Sequence, residues 1–281
     1  MFLKLLFFVC FAICSIDGAN IDRVGVERIN GGDSADPANY GYHVAILYLD
    51  QESEHLVHLC GGAIIDSRYV LTAAHCVFGN HSSEIVVRAG GNQAPELDKP
   101  YLEQRVFRRV SQIAYPKNYF KDERYHEYDI AVLKIKGSFD LIDEEHFKKL
   151  YLPSSNADYV DKVAEVSGYG VHDPADLDGK LEGNNFKTLR TRVISTSQCQ
   201  QSRAFLLTSG SLCTLSNTNY GHTCYGDGGD PLVYNNEIIG ILNAPSSCDK
   251  DTPELFTKVS KYAYFVQKIL NDEYAYDVVY A

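Results

Sequence analysis

Leu71-Thr72-Ala73-Ala74-His75-Cys76 sets a histidine directly before a cysteine at the end of an apolar run. Downstream, Asp129-Ile130-Ala131-Val132-Leu133 places a carboxylate at the head of a strand-like run. Further on, Cys224-Tyr225-Gly226-Asp227-Gly228-Gly229-Asp230-Pro231 is a glycine-rich loop. Upstream of all three, Arg28-Ile29-Asn30-Gly31-Gly32 puts a basic residue before an apolar one and two glycines.

Around these segments the chain is a series of short β-type runs parted by turn residues. His43 to Tyr48, Tyr69 to Leu71, Ile85 to Arg88, Ile130 to Ile135, Lys162 to Val166, Leu189 to Ile194 and Ile238 to Leu242 all read as strands. Several alternate apolar and polar residues, the period of a half-buried strand. Asn235-Asn236 reads as a hairpin tip. Tyr262, Phe265, Val266, Ile269 and Leu270 fall on one stripe of a helix near the C-terminus. Gly137 to Asn156 is a candidate linker between two β halves, and the acidic, tyrosine-rich tail from Asp272 to Ala281 reads as a loosely ordered terminus.

The chain has 281 residues, and its acidic groups outnumber its basic ones 37 to 26, which argues against a protein that tracks nucleic-acid phosphates. Lys4, the apolar run Leu5 to Ile13 and the small residues Ser15, Gly18 and Ala19 read as an export signal over residues 1–18. That run is too short to span a membrane, which takes roughly 18 or more apolar residues. A secreted, extracellular protein is expected. Beyond the signal lie Cys60, Cys76, Cys199, Cys213, Cys224 and Cys248. An even count in an exported chain points to disulfides, with 15 pairings open. Zinc competes poorly, because no Cys-x-x-Cys pair exists. Asn80-His81-Ser82 is an acceptor sequon for N-glycosylation. His55 and His58 in a strand-like run would face opposite sides, so no metal or other cofactor is expected.

From Arg28 to about Asn271 the chain resembles the chymotrypsin/trypsin family of serine proteases, carried by the order of the histidine, aspartate and glycine-loop segments and by the cysteine positions. The resemblance implies an all-β fold of two six-stranded antiparallel β-barrels with a C-terminal helix. It implies bridges Cys60–Cys76, Cys199–Cys213 and Cys224–Cys248. It also implies a short propeptide at 19–28, a peptidase domain at 29–271 with the barrel boundary near 140–156, and a tail at 272–281. A calcium loop would fall near Gly91 to Glu103, where Glu96, Asp98 and Glu103 read instead as a solvated face.

Peptide hydrolysis on this scaffold needs an oxygen nucleophile, a base and a carboxylate that fixes the base's tautomer. It also needs backbone N–H donors for the oxyanion. His75 matches the base and Asp129 the orienting carboxylate. The family's loop reads Gly-Asp-Ser-Gly-Gly-Pro; here Gly228 stands at the nucleophile position and has no side chain. Gly226 and Gly228 match the oxyanion-hole donors. Asp230 lies two residues beyond the required point and replaces a glycine, so it is expected to shift the bend rather than to attack.

The specificity pocket has drifted too. His222 matches the pocket base, Asn243-Ala244-Pro245 the segment that pairs with substrate backbone, and Glu254 the glycine that keeps the pocket open. Pro245 lacks an N–H, and a carboxylate at 254 fills or charges the pocket. The activation parts Arg28, Ile29 and Asp227 match, so a cut after Arg28 is expected, with the freed amino group turning to Asp227.

The resemblance therefore implies a secreted, monomeric pseudoprotease that works by binding a protein. The pattern of drifted site and drifted pocket most resembles inactive protease paralogues of parasitic mites, relatives of the group 3 mite allergens. That implies interference with host complement or other defence proteins. The alternatives are a regulator in an invertebrate immune protease cascade, an active endopeptidase with unusual chemistry, and a decoy that captures substrates or inhibitors. Serine is small, so Gly228→Ser is expected to fit the loop.

Overall fold

The computed structural model describes residues 29, 32–50, 56–89, 106–119, 127–143, 146–169, 186–216, 221–224, 226–243, 252–273 and 278–281. In chain order these form β1 (Asp33–Ser34), β2 (His43–Leu49), β3 (Leu56–Asp66), β4 (Tyr69–Thr72), β5 (Ile85–Arg88), β6 (Phe107–Pro116) and β7 (Ala131–Ile135). There follow β8 (Val163–Gly168), β9 (Lys187–Ile194), α1 (Thr196–Gln200), β10 (Ser211–Ser216), β11 (Pro231–Tyr234), β12 (Glu237–Leu242) and β13 (Glu254–Lys258). The chain ends with α2 (Val259–Leu270) and β14 (Val278–Tyr280).

Two antiparallel sheets close on themselves. The first runs β6-β5-β2-β3-β4-β7 and returns through a β6–β7 pairing; the second runs β9-β10-β13-β12-β11-β8 and returns through β8–β9. Closure leaves each barrel without a free edge along its circuit. The result is two six-stranded barrels with a C-terminal helix, the fold that the resemblance implies.

The strand readings at 43, 69, 85, 130, 162, 189 and 238 all fall on strands, and Asn235 and Asn236 turn the β11–β12 hairpin with φ of 50° and 61°. Both asparagines adopt the left-handed conformation that a two-residue hairpin of this hand requires. β3 escaped the sequence pattern because Gly61-Gly62 interrupts its run. Those glycines answer close approaches: a Cβ at Gly62 would lie 2.9 Å from the Leu71 carbonyl oxygen.

α2 follows the second barrel but packs back on the first. Val259, Tyr262, Val266 and Ile269 join the core cluster that holds Val44, Leu71 and Leu133. The segment around 137–156 is no slack connector. Phe139 and Phe147 are buried and stacked at 5.4 Å, and the Leu150 N–H donates to the Ile64 carbonyl at 2.9 Å.

The tail departs from the loosely ordered terminus read from its composition. Asp272 accepts from the Tyr69 hydroxyl at 2.9 Å and pairs with Lys134. β14 then pairs antiparallel with β6, Val278 opposite Pro116 and Tyr280 opposite Ala114. Val278-Val279-Tyr280 is a β-branched and aromatic run, and the open flank of β6 gives it a partner.

Candidate functional site

The histidine and the aspartate come from the same end of the antiparallel pair β4–β7. His75 sits in a 3₁₀ turn (Ala74–Cys76) that leaves β4, and Asp129 lies just ahead of β7, the strand paired with β4. Asp129 is buried and holds His75 twice: the backbone N–H donates to Oδ1 at 2.8 Å, and ring Nδ1–H donates to Oδ2 at 2.8 Å. The double contact fixes both ring orientation and tautomer, so Nε2 faces the glycine loop. Thr257 and Tyr262 steady the aspartate's backbone. The Thr257 hydroxyl donates to the Asp129 carbonyl at 2.9 Å, and the Tyr262 hydroxyl accepts the N–H of Tyr128 at 3.0 Å.

Burial pulls the His75 imidazole down, but the charge of Asp129 and its hydrogen bond outweigh that and hold it above its ordinary 6.5. The pair therefore contributes its full stability below pH 6.5 and loses it as pH rises through the folded value. Ring titration by NMR is expected to place the His75 midpoint above 6.5 in the native chain. In Asp129→Asn, where only burial remains, it is expected to fall below 6.5. An unchanged midpoint in that variant would contradict the pairing.

Opposite Nε2 stands Gly228. A Cβ added there would lie 2.6 Å from Nε2 and 3.2 Å from Cε1. The imidazole thus leans into the space a side chain would take, and serine does not fit as readily as its size alone implies. The sulfurs beside Nε2, at 3.5 Å for Cys76 and 3.8 Å for Cys60, are joined to each other in a disulfide, so they offer no thiolate for a metal. Cys199–Cys213 is also formed; Cys224 is disulfide-bonded, while Cys248 lies outside the described residues.

The loop turns on two left-handed glycines, Gly226 at φ 85° and Gly229 at φ 81°. Nε2–H of His58 donates to the Gly226 carbonyl at 3.1 Å, which orients that peptide. Asp227 is buried and accepts the Cys224 N–H at 2.8 Å; burial, then the neighbouring Asp230, pushes its carboxyl well above the usual range. Ile29 is itself fully buried. Arg28 lies outside the described residues.

Asp230 takes the place of a glycine in the loop's bend. Its φ is not left-handed; its carboxyl is buried, with Oδ1 2.9 Å from Nε2 of His43. Burial, only partly opposed by the backbone of Ser167, lowers His43 to about 3, and burial raises Asp230 well above its ordinary value. Both directions favour a neutral pair, with Asp230 donating to His43. The aspartate is thus turned away from His75. Sequence reasoning missed this pair, although an aspartate in a glycine's place was the signal.

The pocket residues divide. His222 is buried beside Thr223. Glu254, at the head of β13, turns its carboxylate onto Thr223, accepting the N–H at 2.7 Å and the hydroxyl at 2.6 Å. Its carboxylate is thereby held against Thr223. Asn243 is buried; its N–H donates to the Leu255 carbonyl at 3.0 Å. Ala244 and Pro245 lie outside the described residues, as do Gly91 to Glu103 and His55. Asn80 is described and half-buried at the end of the turn after His75.

The comparisons with known proteins agree with this geometry. Rat (Rattus norvegicus) kallikrein-8 is 28% identical over 90% of this chain and 90% of its own. Chymotrypsin-2 of Vespa crabro is 29% identical over 85% of this chain and 99% of its own. The crystal structure of scabies mite inactivated protease paralogue S-I1 superposes with a TM-score of 0.68 at 26% identity, over 86% of this chain and all of that one. The family profile described as Trypsin matches residues 29–266. The chain belongs to the trypsin family of serine proteases.

Proposed function

We propose that this chain is a secreted, proteolytically inactive member of its family that acts by binding another protein. The observation that carries the reading is Gly228: an oriented base faces a residue with no oxygen to deprotonate. Removing a triad member leaves only roughly 10³–10⁴-fold over water, against 10⁶-fold or far more for enzymes. Asp230, locked to His43, is no substitute nucleophile. The likeness to an inactivated protease paralogue supports the same reading.

The proposed partner is a host complement or other defence protein, engaged by a monomeric, extracellular chain carrying a glycan at Asn80. The retained His75–Asp129 pair is the feature that favours an active endopeptidase instead. A fluorescent casein assay on protein cut after Arg28 decides between them. No turnover above a His75→Ala control is expected; turnover that disappears in that variant would overturn the reading. A substrate-capturing decoy fits less well, because Glu254 closes part of the pocket such a decoy needs.

A further inference from the structure

We infer that Asp230 and His43 form an internal bolt that holds the Gly226–Asp230 loop in its formed arrangement without a cut after Arg28. The carboxyl crosses the seam between the barrels. A Cβ added at Gly61 on β3 would lie 1.6 Å from Oδ1, and one added at Gly168, at the end of β8, would lie 1.8 Å from Oδ2. Each barrel thus leaves room, by a glycine, for this one group.

His43, at the start of β2, is walled by the rings of Tyr169 at 5.4 Å and Phe186 at 5.2 Å, and it receives Oδ1 at 2.9 Å. Asp230 is also tied through its backbone: its N–H donates to the Asp227 carbonyl at 3.0 Å, and its carbonyl accepts the Leu242 N–H at 2.9 Å. The loop is therefore fastened to both barrels by groups that lie wholly inside the folded domain.

The other fastening point is Asp227, which accepts the Cys224 N–H at 2.8 Å and is the position matched to the amino group that a cut before Ile29 would free. An ammonium freed by cleavage would add a charge there, whereas an uncut Ile29 offers only a neutral amide. A loop that relied on that charge would order only after the cut. The bolt needs no chain terminus, so the loop, and any surface it presents, is ready in the chain as made. This holds whether or not the protein cuts peptides.

The test uses the full secreted chain bearing Val24→Asp, Gly25→Asp, Val26→Asp, Glu27→Asp and Arg28→Lys, an enteropeptidase site, before and after cutting. Hydrogen exchange of peptides covering residues 226–230 is expected to agree within about threefold between the two forms. With His43→Gln and Asp230→Gly added, the uncut form is expected to exchange at least about tenfold faster there and to recover on cutting. His43→Leu, which removes Asp230's partner alone, carries the same expectation should the double variant not fold. A loop that tightens tenfold on cutting with the bolt intact would overturn the inference. So would uncut variants that keep full protection without the bolt.

Discussion

Gly228→Ser is expected to leave cleavage of Lys or Arg substrates at least about a thousandfold below that of an active trypsin, even in protein cut after Arg28. Three features of the structure set that result. The new Cβ would meet Nε2 of His75 at 2.6 Å, so the imidazole must retreat before any hydroxyl can bond to it. Asp129 grips the same ring through Nδ1 and the His75 backbone, which opposes the retreat. Glu254 stays on Thr223 and His222 stays buried, so a long basic side chain finds neither the space nor the counter-charge it would need. A misplacement of about 1 Å in a catalytic group alone costs on the order of a hundredfold. Steady-state kinetics on a tripeptide amide checks the outcome; activity within tenfold of an ordinary trypsin would show that the pocket residues are wrongly assigned.

Breaking the His43–Asp230 pair is expected to produce the largest stability loss of any single change near the loop. His43→Leu strands a buried, neutral carboxyl, and leaving such a polar group without its hydrogen-bond partner costs about 1–3 kcal/mol. For a domain of this size that lowers the melting midpoint by about 2–12 °C. His43→Gln with Asp230→Gly removes both members and is expected to cost less than the two single changes summed, with a coupling of about 1–3 kcal/mol. Denaturant unfolding of the four proteins measures the coupling. Additivity within about 0.5 kcal/mol would mean that the two groups only share a neighbourhood.

The two barrels were legible because closed antiparallel strands keep a short period and carry their own turn residues, as Asn235-Asn236 shows. β3 was not, because its glycines serve contacts with groups far along the chain, Asp230 among them. The β14 strand hid in an acidic tail whose composition says disorder, while its last residues match a flank that only the folded barrel provides. In the site, His75, Asp129 and the glycine loop were readable from motif and order. The direction of Glu254 was not: a sequence shows that a carboxylate has entered the pocket wall, but only packing shows that it turns to Thr223. The His43 partnership was the least visible, since it joins residues 187 positions apart and neither lies in a repeating pattern.

The most direct test of a non-cutting trypsin-family protein is the intact mass of the mature chain, cut after Arg28, following exposure to diisopropyl fluorophosphate. An unchanged mass is expected, because Gly228 gives His75 no hydroxyl to activate. A single phosphoryl adduct mapped to residues 226–231, and absent from His75→Ala, would contradict it.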